Sequence, residues 1–209
     1  MSQTREAAVV GIHEYPLRVA PGVSALQIKA ASASKALEDA GLSWQDVDAV
    51  YDTGSHQNIG GLGISEYLGL KPNLIDTTNV GGSSYEFQAN HAATMIAAGK
   101  ANVAILTYGS TSHSDRRAIG TGGATGQGSP TPFNNMEDPW GSTLISNYGL
   151  VKARHMHQYG TTDEQFANIS VATRYHAMRN PEAVKAMTDL EFVGVNEITT
   201  EDVLDSRLI

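Results

Sequence analysis

A strand that ends in a glycine turn and passes directly into a helix constrains this chain more than any other feature. Residues 74–80 have the pattern of a strand, and the strand breaks at the four residues Gly81-Gly82-Ser83-Ser84, called the elbow below. A helical pattern follows at once, in Tyr85, Phe87, Ala92, Met95 and Ile96. This succession is typical of a nucleophile elbow, which holds one residue at the tip of a sheet beside a helix N-terminus. Here the residue at the tip is glycine, which offers no nucleophile.

Strands and helices alternate along the first hundred residues. Strands are predicted at residues 7–12, 47–51, 74–80 and 102–108. Helices are predicted from Ser24, an N-cap candidate, to a stop at Gly41, from Ser83 to residue 98, and briefly around residues 63–68. This alternation favours an α/β fold with a mixed, mainly parallel sheet flanked by helices.

The composition changes after residue 109 and divides the chain into three predicted parts. Residues 1–109 form the α/β core, and residues 110–160 an inserted loop domain whose first thirty or so residues are rich in Gly, Ser, Thr, Pro and Asn. Helical patterning returns near Trp140, and residues 161–209 are predicted as a helical return to the core. A helix starts at Thr161-Thr162-Asp163-Glu164 and ends before Pro181, and a short element follows Thr199.

Charge and composition exclude several function classes. The 209 residues carry a formal net charge of −8 with no basic stripe, so nucleic acid is not an expected partner. The sequence contains no cysteine, which excludes thiolate chemistry, disulfides and cysteine metal sites on this chain. No signal peptide or membrane-spanning run is evident, and a cytoplasmic location is the expectation.

The two serines of the elbow have two alternative roles. Ser83 or Ser84 could replace the missing nucleophile, but no histidine lies beside them in the sequence to activate either. Ser is also a favoured N-cap residue, and the sequence favours Ser83 as the cap of the following helix.

The loop domain and the helix after it contain further candidates. The Gly-rich run at residues 120–126 resembles a phosphate cradle but lacks the Gly-Lys-Ser/Thr ending of a P-loop, so it is interpreted as a flexible lid. His113 could face a pocket or be polar surface. His155 and His157 have the look of a metal pair, but residues i and i+2 of a helix do not face each other, so His155 is interpreted as a structural contact.

Several segments resemble the thiolase superfamily, especially its sterol-carrier-protein-type members. Val80 and the elbow stand where a thiolase has Val-Cys-x-Ser-Gly, and residues 97–105 resemble the helix end and buried strand of that family. Residues 154–165, RHMHQYGTTDEQ, and residues 198–207, ITTEDVLDSR, are similar to two further segments of the same branch. The resemblance covers nearly the whole chain but only about half of a thiolase.

Two departures from the family pattern define the expected chemistry. The family cysteine maps onto Gly81, so no acyl-enzyme can form there. The C-terminal half, which in the family carries the Asn or Asp and His motifs, is absent, so the resemblance implies a catalytic base outside this chain. The chain is therefore expected to be a truncated product, an ordered fragment or one of two paired polypeptides.

The resemblance implies a relative of the cysteine-less aldolases of steroid side-chain degradation. Those proteins cleave a β-hydroxyacyl-CoA by retro-aldol chemistry together with a small zinc-ribbon/OB-fold partner, to which any zinc would belong. Coenzyme A would then be part of the substrate, no cofactor is expected on this chain, and Arg116 and Arg117 could meet the CoA phosphates. The substrate-binding candidates are the four elbow residues, His113, Arg116 and Arg117.

Two other functions and one assembly stay open at this point. The chain could be a non-catalytic acyl-CoA or lipid-binding scaffold, or an acyltransferase with a relocated serine nucleophile. The family also implies a homodimer through the strand that begins at Leu74 and ends at Asn79.

Overall fold

The computed structural model describes residues 7–54, 60–115, 144–192 and 194–206. The chain divides into two compact units, Met1–Asp115 and Arg116–Ile209, and each is described by itself. The predicted three-part division at residues 109 and 160 stays a prediction.

The described residues of the first unit, 7–54 and 60–115, form three helices and three strands in alternation. The helices are α1 (Ala25–Asp39), α2 (Gly60–Leu68) and α3 (Ser84–Ala97), with a 3-10 turn at Trp44–Asp46. The strands are β1 (Ala49–Asp52), β2 (Leu74–Asp76) and β3 (Ala104–Thr107). Ser24 caps α1 as predicted, since its side chain accepts from the N–H of Gln27 and Gln27 returns a bond to Ser24.

The described strands form one parallel sheet in the order β2-β1-β3. Ala49 of β1 pairs with Leu74 on one side and with Ala104 on the other. Val50 lies in a cluster with Leu37 and Ile64, whereas Ala49 and Tyr51 lie in a second cluster with residues of α3. Because successive strand residues point to opposite faces, α1 and α2 cover one face of the sheet and α3 covers the other. The α/β sheet with flanking helices is thereby confirmed.

The predicted strand at residues 7–12 is wrong. No strand is assigned there, and Val9 and Ile12 are 84% and 74% exposed. The segment lies against α1 instead: a Cβ on Gly11 would come within 2.1 Å of the Ala36 carbonyl oxygen, and the N–H of Ile12 donates to the Asp39 carboxylate at 3.0 Å. Contact with a helix therefore replaces pairing with a strand.

The strand before the elbow is shorter than predicted, because Asp76 bends the backbone locally. One oxygen of its carboxylate accepts from the N–H and from the hydroxyl of Thr78, both at 2.7 Å. Such a side-chain turn offers the backbone an alternative to the ladder. The pairing of β2 therefore ends at Asp76, and residues 77–80 lead to the elbow without belonging to a strand.

The second unit, where described, is helical. Its helices are α4 (Leu144–Tyr159), α5 (Asp163–Ala177), α6 (Pro181–Asp189) and α7 (Thr200–Leu204). Thr162 caps α5 and Thr199 caps α7, as the sequence patterns predict. The sequence did not predict α6: Asn180 accepts from the N–H groups of Glu182 and Ala183, and Pro181 occupies the first helical position, so the proline that ends one helix begins the next. Within the described ranges, no helix is long and apolar enough to cross a membrane.

Candidate functional site

The elbow connects β2 to α3 through a glycine in the left-handed region. Gly81 has φ +79°, a conformation that side chains other than glycine rarely adopt, and a Cβ built on it would meet no atom within 4 Å. Gly82 is equally open, and both glycines are exposed. The first N–H groups of a helix have no intrahelical acceptor and carry partial positive charge. The N–H of Ser84 donates to the Gly81 carbonyl at 3.1 Å, so the remaining N–H groups of the first turn of α3 are the donors that an anionic oxygen at this open tip could use.

The two elbow serines have roles that differ from the predicted ones. Ser83 occupies the N-cap position of α3, but its side chain makes no capping hydrogen bond, so the predicted cap is wrong. Ser84 is completely buried, donates its hydroxyl to the Gly81 carbonyl at 2.5 Å and accepts from the N–H of Val80 at 2.9 Å. Ser84 thus ties the two sides of the turn together, which fixes the turn from within.

A short loop after β1 contacts the elbow from the side. The amide of Asn79 donates to the Thr53 carbonyl at 3.3 Å, while its oxygen accepts from the N–H of Gly81 at 3.3 Å. The Thr53 hydroxyl lies 3.0 Å from the Tyr85 hydroxyl, in the first turn of α3. Burial raises the pKa of Tyr85, and the bond to Thr53 offsets that rise only in part, so Tyr85 is neutral at physiological pH.

A fully buried ion pair lies under that loop, at the carboxyl end of the central strand. Lys29 Nζ of α1 contacts Asp52 Oδ1 at 2.8 Å, and the two side chains are 1% and 0% exposed. The Thr107 hydroxyl, from the end of β3, donates to the other carboxylate oxygen at 2.6 Å, and the N–H of Gly54 donates to Oδ1 at 2.7 Å. Asp52 therefore joins α1, β1, β3 and the 53–54 loop at one point.

Comparisons with known proteins agree with this architecture. The chain is 31% identical over 212 residues to a 17-hydroxy-3-oxo-4-pregnene-20-carboxyl-CoA lyase of Mycobacterium tuberculosis, covering 98% of this chain and 52% of that protein. It is 28% identical over 218 residues to an acetyl-CoA acetyltransferase of Methanothermobacter thermautotrophicus, covering 98% and 51%. The chain thus spans about half the length of these curated relatives. No family model matches.

A solved structure decides the fold. The Ltp2–ChsH2(DUF35) aldolase superposes with a TM-score of 0.74 at 26% identity, over 97% of this chain and 49% of that one. The chain has a thiolase-like fold. Its parallel sheet with helices on both faces agrees with the fold that the sequence resemblance implies.

A second titratable pair lies behind the elbow of this thiolase-like fold, between β2 and α3. His91 Nδ1 lies 2.6 Å from Asp76 Oδ2, and the two side chains are partly exposed. Burial raises the pKa of Asp76, but hydrogen bonds from Thr78 and His91 outweigh it and the pKa lies below the usual aspartate value. Burial and the Asp76 carboxylate together raise the pKa of the Tyr51 phenol. Asp76 is therefore ionised at physiological pH.

The remaining sequence candidates are scattered. His113 is exposed on the segment after β3. Arg116, Arg117 and the Gly-rich run at 120–126 lie outside the described residues. His155 contacts the rings of Tyr159 and Phe166 at centroid distances of 4.7 and 5.5 Å, which confirms the structural role expected of it. The described ranges hold no group of three or more metal-binding side chains.

Sequence reasoning missed the buried ion pair. In the sequence Asp52 belongs to no spaced pair of carboxylates, and Lys29 does not stand out because lysine is usually a surface residue. One signal was available: Lys29 shares its helical face with Ala33 and Leu37, at spacings of four and eight residues, and all three are buried. A lysine within an apolar helical stripe indicates a buried carboxylate partner.

Proposed function

We propose that the complete protein is a CoA-thioester carbon–carbon lyase that cleaves a β-hydroxyacyl-CoA by retro-aldol chemistry, on a steroid-like side chain. The observation that carries the proposal is an elbow with glycine at its tip in a chain without cysteine. The similarity to a pregnene-carboxyl-CoA lyase and to an aldolase structure supports it.

The proposed reaction needs no covalent nucleophile. A base takes the proton of the β-hydroxyl, the carbon–carbon bond between the α and β positions breaks, and its electron pair moves into a thioester enolate. Protonation of the enolate then gives a ketone and a shortened acyl-CoA. Donors aimed at the enolate oxygen stabilise this transition state, and the N-terminus of α3 provides donors of that kind. The absent side chain at Gly81 leaves room for a bulky acyl group.

A relocated serine nucleophile is the second candidate, because one relative is an acetyl-CoA acetyltransferase. The hydroxyl of Ser84 is buried and is committed both as donor and as acceptor within the turn. Ser83 is exposed, and no described histidine or carboxylate is hydrogen-bonded to it. A nucleophilic serine requires an adjacent base, so these contacts favour the lyase.

The partners are proposed with the activity. The aldolase structure carries the name of a complex, Ltp2 with ChsH2(DUF35), which supports a partner protein for this chain as well. We propose that this partner is the small zinc-ribbon/OB-fold protein that the family resemblance implies. Within the described residues, β2 has β1 on one side and no strand on the other, which leaves an edge for a second copy in the proposed homodimer. Arg116 and Arg117 are proposed to meet the CoA phosphates, and His113 to border the acyl site.

Product analysis by mass spectrometry tests the proposal. The complete gene product, with and without the zinc-ribbon partner, is offered a steroid β-hydroxyacyl-CoA and, separately, a β-ketoacyl-CoA with free CoA. We expect ketone and shortened acyl-CoA from the first substrate. Turnover of the second alone, with an acyl adduct on Ser83 or Ser84, would establish the acyltransferase, and bound CoA thioester without turnover would establish a scaffold.

A matched pair of variants shows whether the elbow is the site. Gly81→Leu places a side chain in the proposed acyl space, whereas Gly99→Leu places one at the other end of α3. Both glycines have positive φ, at +79° and +66°, and both face open space, so the backbone strain is similar. We expect Gly81→Leu to abolish turnover and Gly99→Leu to retain it. Equal losses would refute the assignment of the elbow.

A further inference from the structure

We infer that Lys29 and Asp52 are positioning residues for the elbow, acting through the 53–54 loop. The kinetic part of this inference rests on the proposed function, whereas its structural part does not. Neither residue touches the open space at Gly81. Their influence is carried by hydrogen bonds that can be followed one by one.

The first step is the anchoring of the loop. The Asp52 carboxylate accepts from three different elements: Lys29 of α1, Thr107 of β3 and the backbone N–H of Gly54. The carboxylate is completely buried, so these bonds are shielded from water and fix its orientation. Gly54 is thereby fixed relative to the end of the sheet, together with Thr53, which precedes it.

The second step is the connection, by hydrogen bonds, of this fixed loop to the elbow. Thr53 has two links to it: its carbonyl accepts from the Asn79 amide, and its hydroxyl bonds to Tyr85. Asn79 in turn accepts from the N–H of Gly81. The loop therefore braces the elbow on both sides of its glycines, before the turn through Asn79 and after it through Tyr85.

The position of α1 is fixed independently at the same end of the sheet. A Cβ on Gly109 would come within 2.7 Å of the Ala25 carbonyl oxygen and 2.8 Å of Lys29 Cγ. The chain after β3 therefore lies directly against α1 where Lys29 enters the interior. This close packing confines the Lys29 side chain to the position in which it contacts Asp52.

Stability alone gives no reason to bury this pair. Replacing a buried ion pair by apolar residues of similar size is often neutral or stabilising, whereas removing one partner is strongly destabilising. A positioning role is different, because it needs the directional bonds of the carboxylate. The two roles therefore separate in a double variant that restores packing without restoring hydrogen bonds.

The test compares four variants of the complete protein. Lys29→Met and the double variant Lys29→Met/Asp52→Leu address the pair. Thr107→Val removes one donor to Asp52 with little change in shape. Lys35→Met is the matched control, since Lys35 lies on the same helix in an exposed pair with Glu38. Each variant is measured for urea stability, for amide hydrogen exchange at residues 79–85 against the end of α3, and for kcat and KM.

We expect the double variant to be more stable than Lys29→Met, although Thr107 and Gly54 lose their shared acceptor in it. Relative to the wild type, its amide exchange should accelerate at least about fivefold more at residues 79–85 than at the end of α3. Its kcat should fall by roughly 10- to 100-fold with little change in KM, because small misplacements of a site cost rate rather than binding. Thr107→Val should shift both quantities less in the same direction, and Lys35→Met neither.

Two results would overturn the inference. One is unchanged exchange at residues 79–85 in every variant of the pair, and the other is recovery of kcat together with stability in the double variant. If the wild type has no lyase activity, the proposed function fails, but the exchange measurement still decides whether the pair positions the elbow.

Discussion

Replacing Gly81 by alanine tests whether the elbow has the geometry described. At φ +79° an L-residue is in the left-handed region, which costs roughly 1–2 kcal/mol. A Cβ there meets no atom within 4 Å, so no steric clash adds to that cost. We therefore expect Gly81→Ala to lower the free energy of unfolding by about 1–2 kcal/mol, which corresponds to a fall in Tm of roughly 2–8 °C for a chain of this size.

Two companion variants separate the backbone from the side chain. Gly82 is equally open but has no positive φ, so Gly82→Ala should change stability by less than about 0.5 kcal/mol. Asparagine tolerates the left-handed region better than alanine, so Gly81→Asn should be destabilised less than Gly81→Ala despite its larger side chain. Urea unfolding monitored by circular dichroism gives all three values.

The order of the three free energies of unfolding tests whether Gly81 is left-handed and whether the space beside it is open. Equal stabilities for Gly81→Ala and Gly82→Ala would mean that Gly81 does not hold a left-handed conformation. A larger loss for Gly81→Asn than for Gly81→Ala would mean that the space at the tip is closed. Either result would refute the elbow as an open turn shaped by its glycine.

Three further predictions concern other parts of the fold. The pKa of Asp76 is lowered in the folded state, so its carboxylate stabilises the protein above the unfolded pKa of about 4. This contribution is lost as the pH falls through the folded pKa. The difference in free energy of unfolding between wild type and Asp76→Asn, measured in urea from pH 7 to pH 3, should therefore shrink towards acid. Ser24→Ala removes a capping bond and should lower the free energy of unfolding by about 1 kcal/mol, whereas Ser83→Ala removes none and should lower it by less than about 0.5 kcal/mol. Similar losses for the two variants in urea unfolding would contradict the capping assignments. Gly109→Ala should lower the stability by roughly 1–3 kcal/mol because its Cβ meets backbone, whereas Gly149→Ala, in open space within α4, should raise it by about 0.5–1 kcal/mol. Thermal unfolding measures both changes, and a stabilised Gly109→Ala would refute the close approach of Gly109 to α1.

The elements with strong local signals could be predicted from the sequence. Capping patterns placed the starts of α1, α5 and α7, because the bonds that make a cap lie within four residues of each other. The alternation of elements predicted a parallel sheet, since parallel strands need a helix-length connection. The elbow was predictable for the same reason, since Gly81 sets the turn by its own backbone conformation and Ser84 bonds to residues within four positions of it.

Features that depend on distant contacts could not be predicted. Residues 7–12 have the apolar pattern of a strand, but whether they pair depends on a neighbouring strand that the pattern cannot supply. The cap of α3 failed for a local reason instead, because two adjacent serines compete for one position and the buried one bonds within the turn. Asp52 has partners at sequence separations of 23 and 55 residues, so its role becomes visible only in three dimensions.

The central position of β1 has a consequence for the newly made chain. This strand is synthesised before both of its neighbours, and its pairing with β3 must wait until Thr107 has emerged. At synthesis rates of ~5–20 residues per second, the roughly thirty residues between the ends of β2 and β3 take about 2–6 s. During that interval one edge of β1 is bare and the Asp52 carboxylate lacks the Thr107 hydroxyl. A nascent chain halted between these strands would be a natural client for chaperones that recognise unpaired strands.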